Sequence, residues 1–192
     1  IQGKDITYLA PNQRNVGMVF QAYALFPNMT VAENIGFGMK VAKKTKEEID
    51  ERVKEMLELI HMDGYGPRYP YQLSGGQQQR VFVARALAQG AKILLLDEPT
   101  TFLDYRHQSE ILKLLKRINR ESCVTIISVS HDINSAVLAS DKILALRNGA
   151  VVFHGEPARL MNNEVLDSIY GKRFIFAMHP LTGQKMIMPD EV

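Results

Sequence analysis

The sequence predicts an α/β fold with a parallel sheet, and two observations carry that prediction. Short apolar runs, VGMVF at 16–20, ILLL at 93–96 and CVTIISV at 123–129, are apolar at nearly every position rather than at alternate ones. Such runs mark strands covered on both faces, the usual state of parallel strands. Between them lie segments with helical spacing, such as Ile111, Leu114, Leu115 and Ile118. Strands separated by helices in this way form crossover-connected parallel sheets.

Taken in order, residues 16–20 form a first strand, and 21–40 a looser region containing Pro27. Thr45 and Glu48 make a capping box for a helix with Ile49, Val53, Met56 and Ile60 on one face, ending near Gly64. Pro67 and Pro70 fall in a loop, and residues 77–89 form the next helix, stopped by Gly90. A strand at 92–97, a helix at 105–120, a strand at 123–129 and a helix at 132–140 follow. Asn148-Gly149 between Ile143–Leu146 and Val151–Phe153 signals a hairpin with a type I′ turn. Two short helical pieces and a less regular tail occupy 156–192.

The chain has 192 residues, 46% hydrophobic and 23% charged, enough to build a buried core. Its 23 basic and 21 acidic residues leave a net charge of +2, and no basic cluster points to nucleic acid. Ile93–Leu96 is its longest aliphatic run, far short of the ~20 residues that cross a bilayer. Cys123 is the single cysteine and reads as a small core hydrophobe opening a strand. The chain opens on Ile1 rather than Met and reads as part of something longer.

The chemistry concentrates at strand ends. ILLLDEPTTFLD, residues 93–104, runs from a buried strand into adjacent Asp97 and Glu98, with Asp104 beyond. In an open α/β sheet, ligands gather at the carboxyl ends of strands. Beside a phosphate, one carboxylate can hold Mg²⁺ while the other orients or deprotonates water. An acidic turn after a core strand is the competing reading. LSGGQQQR, residues 73–80, puts two glycines at a helix start, where backbone N–H groups and the helix dipole favour an anion. An ordinary N-cap is the alternative there. SVSHD (128–132) places His131 at the end of the next strand, and VGMVFQ (16–21) places Gln21 after the first.

Together LSGGQQQR, ILLLDEP, TTFLD, SVSHD and VGMVFQ resemble the nucleotide-binding subunit of ATP-binding cassette (ABC) transporters, and the resemblance covers nearly the whole chain. It implies a P-loop NTPase (RecA-like) core with an inserted α-helical subdomain, in an ATPase that couples hydrolysis to import. By this resemblance Ser74, Gly75, Gly76 and Gln77 bind the γ-phosphate of ATP held by the partner subunit of a head-to-tail dimer. Asp97 holds Mg²⁺, Glu98 is the general base, and His131 senses the γ-phosphate. Gln21 links the metal to the transport channel, and Asp104 lies at the dimer interface. Residues 1–21 would end the N-terminal part of the ATPase core, 22–90 the helical signature subdomain, 91–155 the rest of the core, and 156–192 C-terminal helices and tail.

The resemblance is mixed in its finer detail. TTFLD, residues 130–157 and the tail PLTGQKMIMP look like importers of ferric siderophores and vitamin B12. Residues 10–39 look like importers of polyamines, sugars or inorganic ions. The phosphate cradle of the family, G-x-x-x-x-G-K-S/T, is absent from these residues: Gly3-Lys4 is followed by Asp5, and Gly171-Lys172 lacks both the earlier glycine and the following Ser or Thr. The chain is therefore expected to lack the N-terminal strand and Walker A loop and to bind MgATP poorly alone. Tyr23, Leu25 and Phe26 either fill a small core or touch a membrane subunit. Implied partners are a second ATPase subunit, transmembrane permease subunits and an extracytoplasmic substrate-binding protein, with the chain peripheral on the cytoplasmic side of the inner membrane. A soluble ABC ATPase unconnected with transport and a non-catalytic interaction module remain as alternatives.

Overall fold

The computed structural model describes residues 3, 5–10, 13–14, 16–19, 25–180, 183 and 185–188. The chain divides into two units, Ile1–Val129 and Ser130–Val192.

In the first unit, β1 (Val16–Val19), β2 (Ile93–Asp97) and β3 (Thr125–Val129) form a parallel sheet in the order β1-β2-β3. Met18 lies opposite Leu95 and Leu95 opposite Ile127, while Asp97 pairs with Val129. The connection from β1 to β2 holds α1 (Val31–Val41), α2 (Lys46–Leu59) and α3 (Gly75–Ala88), and that from β2 to β3 holds α4 (Tyr105–Ser122). The parallel strands are as expected, but their coverage is not. Val19, Leu94 and Leu96 are buried in the core with Val81, Val83, Ile111 and Ile118. Met18, Ile127 and Val129, on the opposite face, are 50%, 54% and 58% exposed. The helices of this unit pack on the face that carries Val19, Leu94 and Leu96.

Local chemistry explains most helix starts. Thr45 and Glu48 form the expected capping box of α2, whose Val53 and Met56 are buried. The helix stops at Leu59 rather than near Gly64, because Ile60 caps it and His61 takes a left-handed φ of 55°. Residues 31–41, read as loose from Pro27 onward, form a regular helix: Thr30 and Glu33 make a second capping box. Asn34 on this helix is fully buried. Its Oδ1 accepts the Phe26 N–H at 2.8 Å, and its Nδ2 donates to the carbonyls of Phe26, Met29 and Thr30 at 3.0–3.1 Å. That side chain shapes residues 26–30 into the turn preceding α1. Cys123 corrects the core reading: it is exposed, and with φ 51° it caps α4 in the left-handed conformation. The helix runs to Ser122, and the chain must reverse before β3.

In the second unit, α5 (Ile133–Ala139) precedes β4 (Ile143–Arg147) and β5 (Ala150–Gly155), an antiparallel hairpin. Asn148 and Gly149 both have positive φ, 51° and 78°, as a type I′ turn requires. α6 (Pro157–Leu160) and α7 (Asn163–Tyr170) follow. The tail is more regular than expected, because β6 (Ile175–Met178) and β7 (Lys185–Met188) pair as a second hairpin. Val137, Phe153, Leu160, Met161 and Leu166 form the core of this unit, with Ile133, Phe176 and Ile187 packed against it.

Candidate functional site

The LSGGQ segment is the N-terminus of α3. Ser74 is its N-cap: the Ser74 Oγ accepts the Gln77 N–H at 3.3 Å, and Gln77 Oε1 accepts the Ser74 N–H at 3.0 Å. Gln77 Nε2 also donates to the Tyr65 hydroxyl at 3.4 Å. This reciprocal cap fixes the turn and leaves the Ser74 hydroxyl proton for an outside acceptor. Ser74 and Gly75 are exposed, whereas Gly76 is buried.

What buries Gly76 is His107, a residue the sequence reading did not single out. A Cβ added at Gly76 would lie 2.7 Å from His107 Cδ2 and 3.0 Å from Cγ. His107 in turn belongs to Asp104, the N-cap of α4. Asp104 Oδ1 accepts the His107 N–H at 2.9 Å, and Oδ2 meets the ring Nδ1 at 2.7 Å. The His107 backbone N–H first, and its ring second, hold the Asp104 carboxyl below the usual carboxylate range. The structure thus brings Asp104 and Gly75–Gly76 together through one imidazole, with Leu103 against Gly75. The available signal was a histidine three residues after an N-cap aspartate, within reach of its carboxylate.

This packing gives a direct expectation. Gly76→Ala should destabilise the protein by about 1–3 kcal/mol, the range for overfilling a packed contact. Adding His107→Ala should recover most of that loss. Denaturant midpoints for the two single variants and the double variant measure the coupling; additive losses would show that the ring and the glycine do not touch.

Asp97 is exposed at the carboxyl end of β2. Glu98, half-buried, continues the strand: its N–H donates to the Val129 carbonyl at 3.1 Å. The backbone there turns abruptly, with φ 47° at Glu98 and 65° at Phe102. Thr101 holds the turn, its Oγ1 donating to Glu98 Oε2 at 2.8 Å and its N–H to the Glu98 carbonyl at 3.2 Å. The two adjacent acids therefore diverge in role: one side chain is open to solvent, the other oriented by a hydroxyl. Among the described residues no group of three or more His, Cys, Asp or Glu forms a metal cage. A lone aspartate oxygen suits Mg²⁺, which binds through one or two carboxylates plus substrate phosphates.

His131 is exposed and belongs to the second unit, just ahead of Asp132, the N-cap of α5. Gln21 and Tyr23 lie outside the described residues. Leu25 is a core residue. Phe26 packs against Phe37 with tilted rings 4.5 Å apart, and the Arg85 guanidinium lies 4.4 Å from its ring centroid.

A parallel β1-β2-β3 sheet whose middle strand ends in an Asp-Glu pair fits a P-loop NTPase fold. The solved structures agree. An inward-facing metal-chelate type ABC transporter matches 91% of this chain and 71% of that one, at TM-score 0.81 and 25% identity. CbiO1 of Clostridium perfringens, part of the CbiONQ transporter complex, matches 79% of this chain and 61% of that one, at TM-score 0.73 and 33% identity. The ABC transporter family model matches residues 1–101, and the chain belongs to that family. Its relatives include the sulfate/thiosulfate import ATP-binding protein CysA of Gloeobacter violaceus, 42% identical over 99% of this chain and 55% of that protein. The spermidine/putrescine import ATP-binding protein PotA of Thermobifida fusca is 44% identical over 99% of this chain and 49% of that protein. The chain spans about half the length of these curated relatives.

Proposed function

We propose that this chain is part of the ATP-binding subunit of an ABC importer, hydrolysing ATP in a head-to-tail dimer to drive transport. The observation that carries the reading is the strand end itself, where Glu98 is oriented by Thr101 next to a solvent-open Asp97. In this reading Asp97 is the Mg²⁺ ligand and Glu98 the general base. Ser74, Gly75, Gly76 and Gln77 meet the γ-phosphate of ATP on the partner subunit, and the capped turn holds them ready. His131 contacts the γ-phosphate, and Gln21 couples the metal to the membrane subunits. Asp104 lies at the dimer interface, where its bond to His107 would report on the signature turn. When bound, Mg²⁺ neutralises developing charge on the phosphates.

Permease subunits and an extracytoplasmic substrate-binding protein complete the proposed system, with this chain peripheral on the cytoplasmic face of the inner membrane. No described helix is long and apolar enough to cross a membrane. Tyr23 and Phe26 are the candidates for contact with a permease, since Leu25 is committed to the core. For the cargo, TTFLD, the tail sequence and the metal-chelate neighbour support a ferric siderophore or related chelate. The higher identity to sulfate and polyamine import proteins supports a second reading, an oxyanion or polyamine.

Sedimentation of the full-length protein with and without a non-hydrolysable Mg²⁺–ATP analogue tests the assembly. A dimer formed only with nucleotide is expected. A monomer under both conditions would remove the shared-site reading.

A further inference from the structure

We propose that the C-terminal hairpin β6–β7 is a positioning element for His131, acting through Asn134. The proposal rests on the reading of His131 as a phosphate-contacting residue. Residues 130–135 form a turn closed largely on itself. Asp132 donates its N–H to Ser130 Oγ at 3.1 Å. Its carboxylate accepts the Asn134 N–H at 3.0 Å, the Ser135 N–H at 3.3 Å and the Ser135 hydroxyl at 2.5 Å. These bonds define the shape of the turn.

A long-range tie comes from far along the chain. Asn134 Nδ2 donates to the Ile187 carbonyl at 3.0 Å, and Asn134 Oδ1 accepts the Ile187 N–H at 2.8 Å, across a separation of 53 residues. An edge strand presents unpaired N–H and C=O groups. The Asn134 amide satisfies one such pair, as a neighbouring strand would. Asparagine alone among residues of this size supplies a donor and an acceptor in that fork: aspartate keeps only the acceptor, and leucine keeps neither. Ile133 and Ile187 pack against the same core beside the bond pair, excluding water from one side of it. β7 is itself fixed by β6, with Phe176 opposite Ile187. The hairpin is thus a brace on the first turn of α5, and His131 stands immediately before that turn. Asn134 is a positioning residue and touches no reacting atom in this scheme. The tail, which follows every recognised motif, becomes part of the machinery that aims one of them.

The test uses the full-length protein and the variants Asn134→Leu and Asn134→Asp, read by amide hydrogen exchange and by steady-state ATP turnover. Asn134→Leu should speed exchange at Asn134–Val137 and Ile187 at least about tenfold, since the first turn of the helix loses its outside tie. It should lower kcat roughly five- to fifty-fold with KM for ATP within about twofold, the pattern of a misaimed contact made in the transition state. Asn134→Asp, which keeps the acceptor, should fall between Leu and wild type in both measurements. As a second route, Ile187→Pro removes the hairpin's donor without altering 130–135 and should reproduce the kcat loss. Unchanged exchange in Asn134→Leu would overturn the brace. Faster exchange with unchanged kcat would overturn the link to His131. Failure of the ATPase reading would show separately, as turnover insensitive to Glu98→Gln, while the exchange measurement still decides whether the brace exists.

Discussion

Glu98→Gln in the full-length protein is expected to lower ATP turnover by about 10²–10⁴-fold, or roughly 3–5 kcal/mol in activation free energy, while MgATP binding persists. The substitution is nearly isosteric. Its carbonyl oxygen can still accept from Thr101 Oγ1, which meets Glu98 Oε2 at 2.8 Å, so the turn at 98–101 should keep its shape. What is lost is the carboxylate that, in the proposed reading, receives a proton from water. Asp97 cannot substitute, because the strand end directs the two side chains to different surroundings: exposed for Asp97 and half-buried for Glu98. Phosphate release in the steady state, together with calorimetric titration by MgATP, separates the two effects. Near-wild-type turnover would show that another group positions the water. Loss of binding together with turnover would mean that Glu98 holds the turn rather than the proton.

Asn34→Ala should be among the most damaging single changes in the first unit, costing about 2–4 kcal/mol of stability. The side chain is fully buried and makes four hydrogen bonds to the backbone of residues 26–30. Alanine strands the Phe26 N–H and reduces the partners of three carbonyls in a space closed to water. Asn34→Asp should be worse still, because it replaces the donor to those carbonyls with a negative charge facing them. Equilibrium denaturation measures both; a loss below about 1 kcal/mol would mean that water or a relaxed backbone takes over the bonds. Because Asn34 shapes the segment carrying Leu25 and Phe26, the milder variant should also loosen the Phe26–Phe37 contact beneath Arg85.

Features written in adjacent residues were legible in the sequence. The capping box at Thr45, the N-cap at Ser74, the Asn148-Gly149 turn and the strand ending at Asp97 all follow from short-range rules, and all are present. Even so, the box at Thr30 and Glu33 was masked by the nearby proline and the apolar residues around it. Cys123 departs from the core reading because the apolar run begins two residues before β3, at a position that must reverse the chain. Contacts across distance left no local trace. Nothing near Gly76 announces that an imidazole fills the place of its side chain, or that the same ring holds Asp104. The tie between Asn134 and Ile187 likewise joins two stretches that each read as ordinary alone. The exposure of Met18, Ile127 and Val129 also left no trace in the sequence, since the apolar runs read the same whether one face or two are packed.

The left-handed backbone at Glu98 has a further consequence. For a residue with a Cβ, that conformation costs on the order of 1 kcal/mol or more, and glycine escapes the cost. With φ at 47°, Glu98 occupies a site where folding alone would favour Glu98→Gly. With Glu98 as the proposed general base, heat tolerance and hydrolysis pull this position in opposite directions. A lineage freed from the need to split ATP would be expected to give up its glutamate here early, gaining stability as it did so. The residue at 98 would then serve as a marker separating working copies from retired ones.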